Sequence, residues 1–372
     1  MLRVGRDRVR AWRLRRHLLG GAARSAVDAV DIVRRVVGVQ AQVSSCARDA
    51  VAVRGGSVDE LEAALERRDL VRTWAVRGTL HLLPSAGPAG AADVLAVVGA
   101  ARSWEKGSWQ REFATAEQVA ALAQAADEVL ADAVLTREEL ISALGAVGAV
   151  GAVVPVDRLA SGWGTLLKPL AWQGVLCNGP PRGARPTFTS PRTFLPGWPG
   201  MPDADDAASR VVPAYLAAHG PATPAVFDAW LLRGATPKAR LRRWFAELVE
   251  DGTLGLVDVE GEVRHLRTED ADDLADAAPT PGVRLLPGFD PWILGPGTAD
   301  PDVVPPEHRG LVSRAAGWIA PVVLVDGVVT GTWAEEDGDV VVSPFPGRPG
   351  PDPTALAEEV ERWRLRCRPR AH

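Results

Sequence analysis

One pattern occurs three times along the chain and constrains its architecture: a helical stretch, a reversal at a glycine, and a short pair of extended runs. The spacing over Ser57 to Arg68 predicts a helix started by Ser57 or Asp59, and LVRTWAVRGTLHLLP after it predicts two strands turning near Arg77 and Gly78. Further on, Thr136 and Glu139 have capping-box spacing and start a helix through Leu144; GTLLKPLAWQGVLCN then runs to Asn178, and RPTFTS extends to Ser190. Thr223 begins a helix through Leu232, Lys238 to Glu250 forms another, and Asp251-Gly252 turns into TLGLVDVEGEVRHL. The phrases LAWQGVLCN and LVEDGTLGL align: each ends a helix on an apolar pair, reverses at Gly174 or Gly252, and enters a strand. A recognition helix followed by a β wing has this order, so the repeated unit reads as a winged helix-turn-helix.

Around the repeats the pattern is simpler. Residues 8–19 suit a helix, with Val9, Trp12 and Leu19 at helical spacing. A second helix follows Ser25, where Ser25 and Asp28 stand in capping-box relation and Val27, Val30, Val33, Val36 and Val37 supply an apolar face ending near Gly38. Segments 180–206 and 294–306 are rich in proline and glycine and read as linkers. Beyond residue 282 come the strands RLLP, APVVLVDGVVTGTW and GDVVVSPF, with Asp326-Gly327 as a hairpin turn, and then a helix from Pro353 to Arg366. The expected fold is α+β and mainly helical, in four parts. They are a winged helix with a basic leading helix (1–112), a second (113–200), a third (201–281), and a small β-rich unit with a terminal helix (282–372).

Composition limits the function classes. With 372 residues and 47% hydrophobic side chains the chain can build ample core, and no apolar run approaches the roughly 20 residues of a membrane span. Cys46, Cys177 and Cys367 form no CxxC pair or Cys/His cluster, which predicts a reducing compartment and no metal site. The arginines at the front interrupt the apolar run a secretory signal needs, so a cytoplasmic, nucleoid-associated protein is expected. There is no Walker A sequence, and no GxGxxG lies between a strand and a helix, so no cofactor is expected. The net charge of −5 hides an asymmetry: residues 1–112 carry 19 basic and 12 acidic side chains, residues 113–372 carry 23 and 35. Eight arginines fall in the first 24 residues. Such a run can neutralise phosphates, and equally can be a solvated face in an arginine-rich protein.

Three phrases together resemble the AlkZ/YcaQ-like winged-helix DNA glycosylases: Gln40-Ala41-Gln42 after a valine-rich helix, RTWAVRGTLHLLP at 72–84, and LLPGFDPWILG at 285–295. The resemblance runs from the LRRHLL helix to the GTW strand at 331–333. It implies three tandem winged helices and a β-rich unit forming a C-shaped channel for duplex DNA, with Gln40 and Gln42 at the lesion. It also implies hydrolysis of the N-glycosidic bond of alkylated purines and, for the Gln-x-Gln form, unhooking of interstrand crosslinks. The implied partner is double-stranded DNA with alkylated purines; no protein partner is expected.

The residues make chemical sense of that implication. An amide is no base near neutral pH, but its oxygen accepts a hydrogen bond from water while its NH2 donates elsewhere, so Gln40 and Gln42 can position water without taking its proton. That suffices for a leaving group already activated by positive charge, as an N7-alkylated purine is. Asp49 is an alternative base, while Asp28 is explained by capping. Arg10, Arg15 and Arg16 on the first helix, Arg72, Arg77 and His81 on the first hairpin, and Arg240 and Arg243 on the third recognition helix are the expected DNA contacts. A hydrogen-bonded structural histidine is the other reading of His81, and a solvated helix face the other reading of Arg240 and Arg243; Trp74 reads as core. The Val325 to Thr330 hairpin is a candidate side-chain probe of the lesion. A non-catalytic winged-helix regulator is the rival reading, since fold does not fix function.

Overall fold

The computed structural model describes residues 1–20, 27–148, 156–161, 164–279 and 281–367. The fold is α+β, about half helical, and the chain forms two compact units, each discontinuous in sequence.

The first unit comprises Met1–Ala63, Val212–Trp230 and Leu241–His372. Its leading helix, Arg6–Arg16, buries Val9, Trp12 and Leu14 at helical spacing. The next, Ala29–Arg35, begins where the Asp28 side chain accepts from the amides of Val30 (2.7 Å) and Asp31 (3.1 Å). Asp28 is therefore the cap itself, not the third helical residue of a box; Ser25, expected to start this helix, lies outside the described residues. Leu2–Val4, for which no strand was expected, pairs in parallel with Leu254–Val259, which in turn pairs antiparallel with Glu262–Arg267. A four-stranded antiparallel sheet follows in chain order: Val283–Leu286, Val322–Val325, Val328–Glu336 and Asp339–Pro344. The terminal helix Pro353–Cys367 packs Trp363 edge-on against Trp333 at 4.6 Å over this sheet's core.

The second unit comprises Ala64–Val211 and Leu231–Arg240. Leu70–Trp74 and Leu80–Pro84 form a hairpin through a tight 3-10 turn at Val76–Gly78, with Arg77 at φ 56° and Gly78 at φ 69°. Both capping boxes in this unit are closed: Thr115 with Gln118, and Thr136 with Glu139 as the sequence predicts. Helix Leu167–Trp172 leads into strands Cys177–Arg182 and Arg185–Thr189, so segment 180–206 is no plain linker but holds half a hairpin. Pro180 and Pro181 occupy the distal strand end, where the pairing register shifts, and Gly183 lies in the turn. Trp74 is core, stacked on Phe188 at 5.8 Å and 14°.

The third repeat is read from the sequence almost to the residue. Pro224–Leu232 precedes Lys238–Glu250, whose Leu241, Trp244, Phe245 and Leu248 are buried while Arg242 and Arg243 face solvent. No helix among the described residues is long and apolar enough to cross a membrane.

Candidate functional site

Helix Ala29–Arg35 cannot continue past Val37 and Gly38, which sit at φ 55° and 98°, so the chain leaves it extended through Val39–Gln40. The segment buries Val39, Gln40 and Ala41 in succession and exposes Gln42 before helix Ser44–Ala52 begins. Gln40 is only 7% exposed. Its Oε1 is shut off from solvent and meets no donor among the described residues. Buried carbonyl oxygens are rarely left so, because lost hydration costs about 1–3 kcal/mol. Ala41 is itself buried, at 2% exposed.

Asp49 lies on helix Ser44–Ala52, two turns beyond the motif and half-buried. Burial above all, and then the charge of Glu335, push its carboxyl up to about 6, against the pull of Arg48. Arg48 is itself tied to Glu62 at 2.7 Å, which weakens that pull. Cys46, one turn earlier, has its thiol pushed up by burial and by Asp49. The turn Gly288-Phe289 closes over this helix: a Cβ at Gly288 would stand 2.8 Å from the Ile319 carbonyl and 3.6 Å from Cys46 Sγ. Gly288 of LLPGFDPWILG is therefore a close-approach glycine.

Residues the sequence reading did not single out lie behind the motif. Arg54, just past that helix, and Asp290 form a fully buried pair with two hydrogen bonds of 2.7 and 2.8 Å. His17 and His219 are buried beside them. The signal available was an aspartate inside the apolar phrase GFDPWILG: an unpaired charge is not tolerated there, so it demands a cation.

The basic run at the front is answered within the chain. Arg15 pairs with Asp273 at 3.2 Å, Arg16 with Asp270 at 3.7 Å, and Arg10 with Asp7. Arg3, Arg6 and Arg13 likewise meet Asp258, Glu260, Asp302 and Asp300. Acidic side chains between residues 258 and 302 thus pair with five of the front arginines, Arg3, Arg6, Arg13, Arg15 and Arg16.

On the first hairpin the pairing sets Thr73 opposite His81 and Arg72 opposite Leu82. His81 is 4% exposed, its Nδ1 lies 3.0 Å from the Thr79 carbonyl, and burial pushes it down to about 3. It is a neutral, hydrogen-bonded structural histidine, and not a phosphate contact, because the imidazole would have to be exposed and charged to be one. Arg72 and Arg77 are half-buried, and burial lowers the Arg72 guanidinium from its usual range. Arg240 donates to the Ala100 carbonyl at 3.0 Å and pairs with Asp205 at 3.6 Å; Arg243 pairs with Glu247 at 3.7 Å on an exposed face. The Val325 to Thr330 hairpin does not project as a probe. Asp326 exchanges hydrogen bonds with Gly282, and a Cβ at Gly327 would meet Leu14, Arg10 and Trp292 at 3.3 to 3.5 Å. The exposed hairpin end is instead Ala334 to Asp339. Among the described residues no group of three His, Cys, Asp or Glu side chains could hold a metal ion.

Comparison with known proteins identifies what the chain is similar to. The family model for AlkZ-like DNA glycosylases matches residues 33–365. A Streptomyces sahachiroi protein described as an interstrand DNA cross-link repair glycosylase is 47% identical over 340 residues, covering 90% of this chain and 89% of that one. The solved structure of the Streptomyces sahachiroi DNA glycosylase AlkZ matches with a TM-score of 0.92 at 43% identity, over 98% of this chain and 97% of that chain. This chain belongs to the AlkZ-like DNA glycosylase family.

Proposed function

We propose that the protein is a DNA glycosylase that hydrolyses the N-glycosidic bond of cationic N7-alkylated purines in duplex DNA and unhooks interstrand crosslinks built on such bases. The single observation that carries this reading is Gln40 Oε1, buried and with no donor among the described residues, in a segment that also presents Gln42 to solvent. A carbonyl oxygen in that state is ready to accept from a group that arrives with the substrate, and a water molecule at the sugar is such a group. When the glycosidic bond breaks, its electron pair goes to the purine and neutralises the base's positive charge. Water then adds at C1′ and loses a proton. The glutamines hold that water; Asp49, with its carboxyl near 6, is the carboxylate in this region suited to take the proton near neutral pH.

In this reading 1–112, 113–200 and 201–281 are winged-helix segments and 282–372 a β-rich segment. Arg77 and Arg243 meet the phosphate backbone, and Arg72 supports the first hairpin. The relative named for cross-link repair supports the wider substrate. The test is release of base from a duplex carrying a single N7-methylguanine, and from one crosslinked by a bifunctional alkylator, with abasic sites counted. Base release from neither would favour a DNA-binding protein without catalysis, whereas efficient uracil release would contradict the cationic leaving-group mechanism.

A further inference from the structure

We infer that His17 and His219 are positioning residues for the Gln40 segment, linked in one directed hydrogen-bond relay that runs from the buried Arg54–Asp290 pair to the carbonyl of Val36. The inference rests on the glycosylase reading above for its effect on catalysis, and on geometry alone for the relay itself.

The direction of the relay follows from its first member. Arg54 can only donate, and its Nη2 lies 3.3 Å from His17 Nδ1, so that nitrogen accepts. A neutral His17 then carries its proton on Nε2, 3.2 Å from His219 Nδ1. His219 must accept there and carry its own proton on Nε2, which lies 3.2 Å from the Val36 carbonyl. Every link is satisfied in one tautomeric state and in no other. A second proton on His17 is opposed by burial first, then by His219, Arg54 and Arg13, which together outweigh a hydrogen bond to the Ala218 backbone and hold its pKa well below the ordinary histidine value. Asp290 anchors this set directly, and Arg54 takes both its oxygens.

The relay meets the motif segment from both sides. Val36 caps the C-terminus of helix Ala29–Arg35, where a helix leaves carbonyls it cannot satisfy itself, and stands four residues before Gln40. Arg54 also donates to the Ala50 carbonyl at 2.7 Å, which fixes the end of the helix that follows Gln42. Residues 36–54, which include Gln40, Gln42 and Asp49, are therefore tied at both ends to one buried network. The phrase LLPGFDPWILG supplies two of its parts. Asp290 anchors Arg54, and Gly295 leaves room for the imidazole, since a Cβ there would fall 2.0 Å from His219 Nδ1. Tyr215 packs on the His219 ring at 5.1 Å and donates to the Gly295 carbonyl at 3.0 Å. A shift of about 1 Å in a catalytic group is enough to cost on the order of a hundredfold in rate, so holding this segment matters more to turnover than to DNA binding.

The test compares wild type with His219→Phe, which keeps an aromatic ring and loses both nitrogens, and His219→Gln, whose amide still reaches the Val36 carbonyl. Single-turnover release of N7-methylguanine, the dissociation constant for intact duplex, and ring 15N spectra of the wild-type histidines are measured. The relay predicts that His219→Phe lowers the excision rate on the order of a hundredfold with duplex affinity within about threefold, and that His219→Gln recovers most of the rate. It also predicts Nε2–H tautomers for both histidines and a His17 that stays neutral at neutral pH. A folded His219→Phe that excises at the wild-type rate overturns the inference, and so does an Nδ1–H tautomer or a titrating His17. If His219→Phe does not fold, the 15N spectra of wild type decide. If wild type itself releases no base, the glycosylase reading fails and the spectra still judge the relay.

Discussion

The carboxylate of Asp290 meets the guanidinium of Arg54 through hydrogen bonds of 2.7 and 2.8 Å, with neither side chain exposed at all. The pair joins two stretches 236 residues apart, the end of the helix behind Gln40-Ala41-Gln42 and the cap of helix Pro291–Leu294. Removing one partner leaves a buried charge without compensation. Asp290→Ala should therefore lower unfolding free energy by about 3–5 kcal/mol, whereas Arg54→Met combined with Asp290→Leu should recover a large part of that loss. Denaturant titration of wild type and the two variants checks this. A single variant within about 1 kcal/mol of wild type would show that the pair contributes little.

Gln40 gives the opposite signature. Its buried Oε1 costs the folded protein an unmade hydrogen bond, so Gln40→Met should raise stability by about 1 kcal/mol while sharply slowing base release. Melting temperature and single-turnover excision, measured on one preparation, read both halves. A variant that is both less stable and still active would mean that the amide is structural.

Asp49 sets a pH dependence of stability. The folded carboxyl keeps its proton up to about 6, whereas the unfolded chain loses it near the ordinary 3.8. As pH rises from about 4 to 6 the unfolded state ionises first, so stability falls and the penalty is complete above about 6. At this half-exposed position solvent screening leaves about 1 kcal/mol of it. Asp49→Asn should match wild type near pH 4 and exceed it above pH 6. Parallel stability curves for the two proteins would contradict the assignment.

Arg77 and His81, four residues apart on one hairpin, should separate cleanly. Arg77 adopts φ 56°, which glycine tolerates better than arginine, so Arg77→Gly should keep or improve stability while reducing the salt slope of duplex binding by about one. His81→Leu should leave the slope unchanged and lower stability, because the imidazole is buried against the Thr79 carbonyl. Equal effects of both on the slope would place His81 at the DNA after all.

These residues also mark how far the sequence could be read. Local periodicity found Lys238–Glu250 and the hairpins, because helix and strand periods and the turn residues at 77–78 and 251–252 are written in neighbouring positions. What was not legible is long-range. Nothing near Leu2 announces a parallel partner at Val257, and nothing in the arginine run shows that Asp258, Asp270 and Asp273 await it. Arg15 and Arg16 therefore looked like phosphate contacts on charge alone. The candidate site was legible in Gln40 and Gln42 through the family resemblance, whereas His17, Arg54 and His219 became visible only when residues 202 and 37 positions apart met.

The central claim is that Gln40 and Gln42 act on a cationic base. It is tested most directly by single-turnover excision of N7-methylguanine from a labelled duplex, comparing wild type with the Gln40→Ala/Gln42→Ala double variant at matched duplex affinity. The account predicts abasic sites from wild type and a rate lower by a factor on the order of a thousand in the double variant. A double variant that binds duplex and excises at the wild-type rate would contradict it.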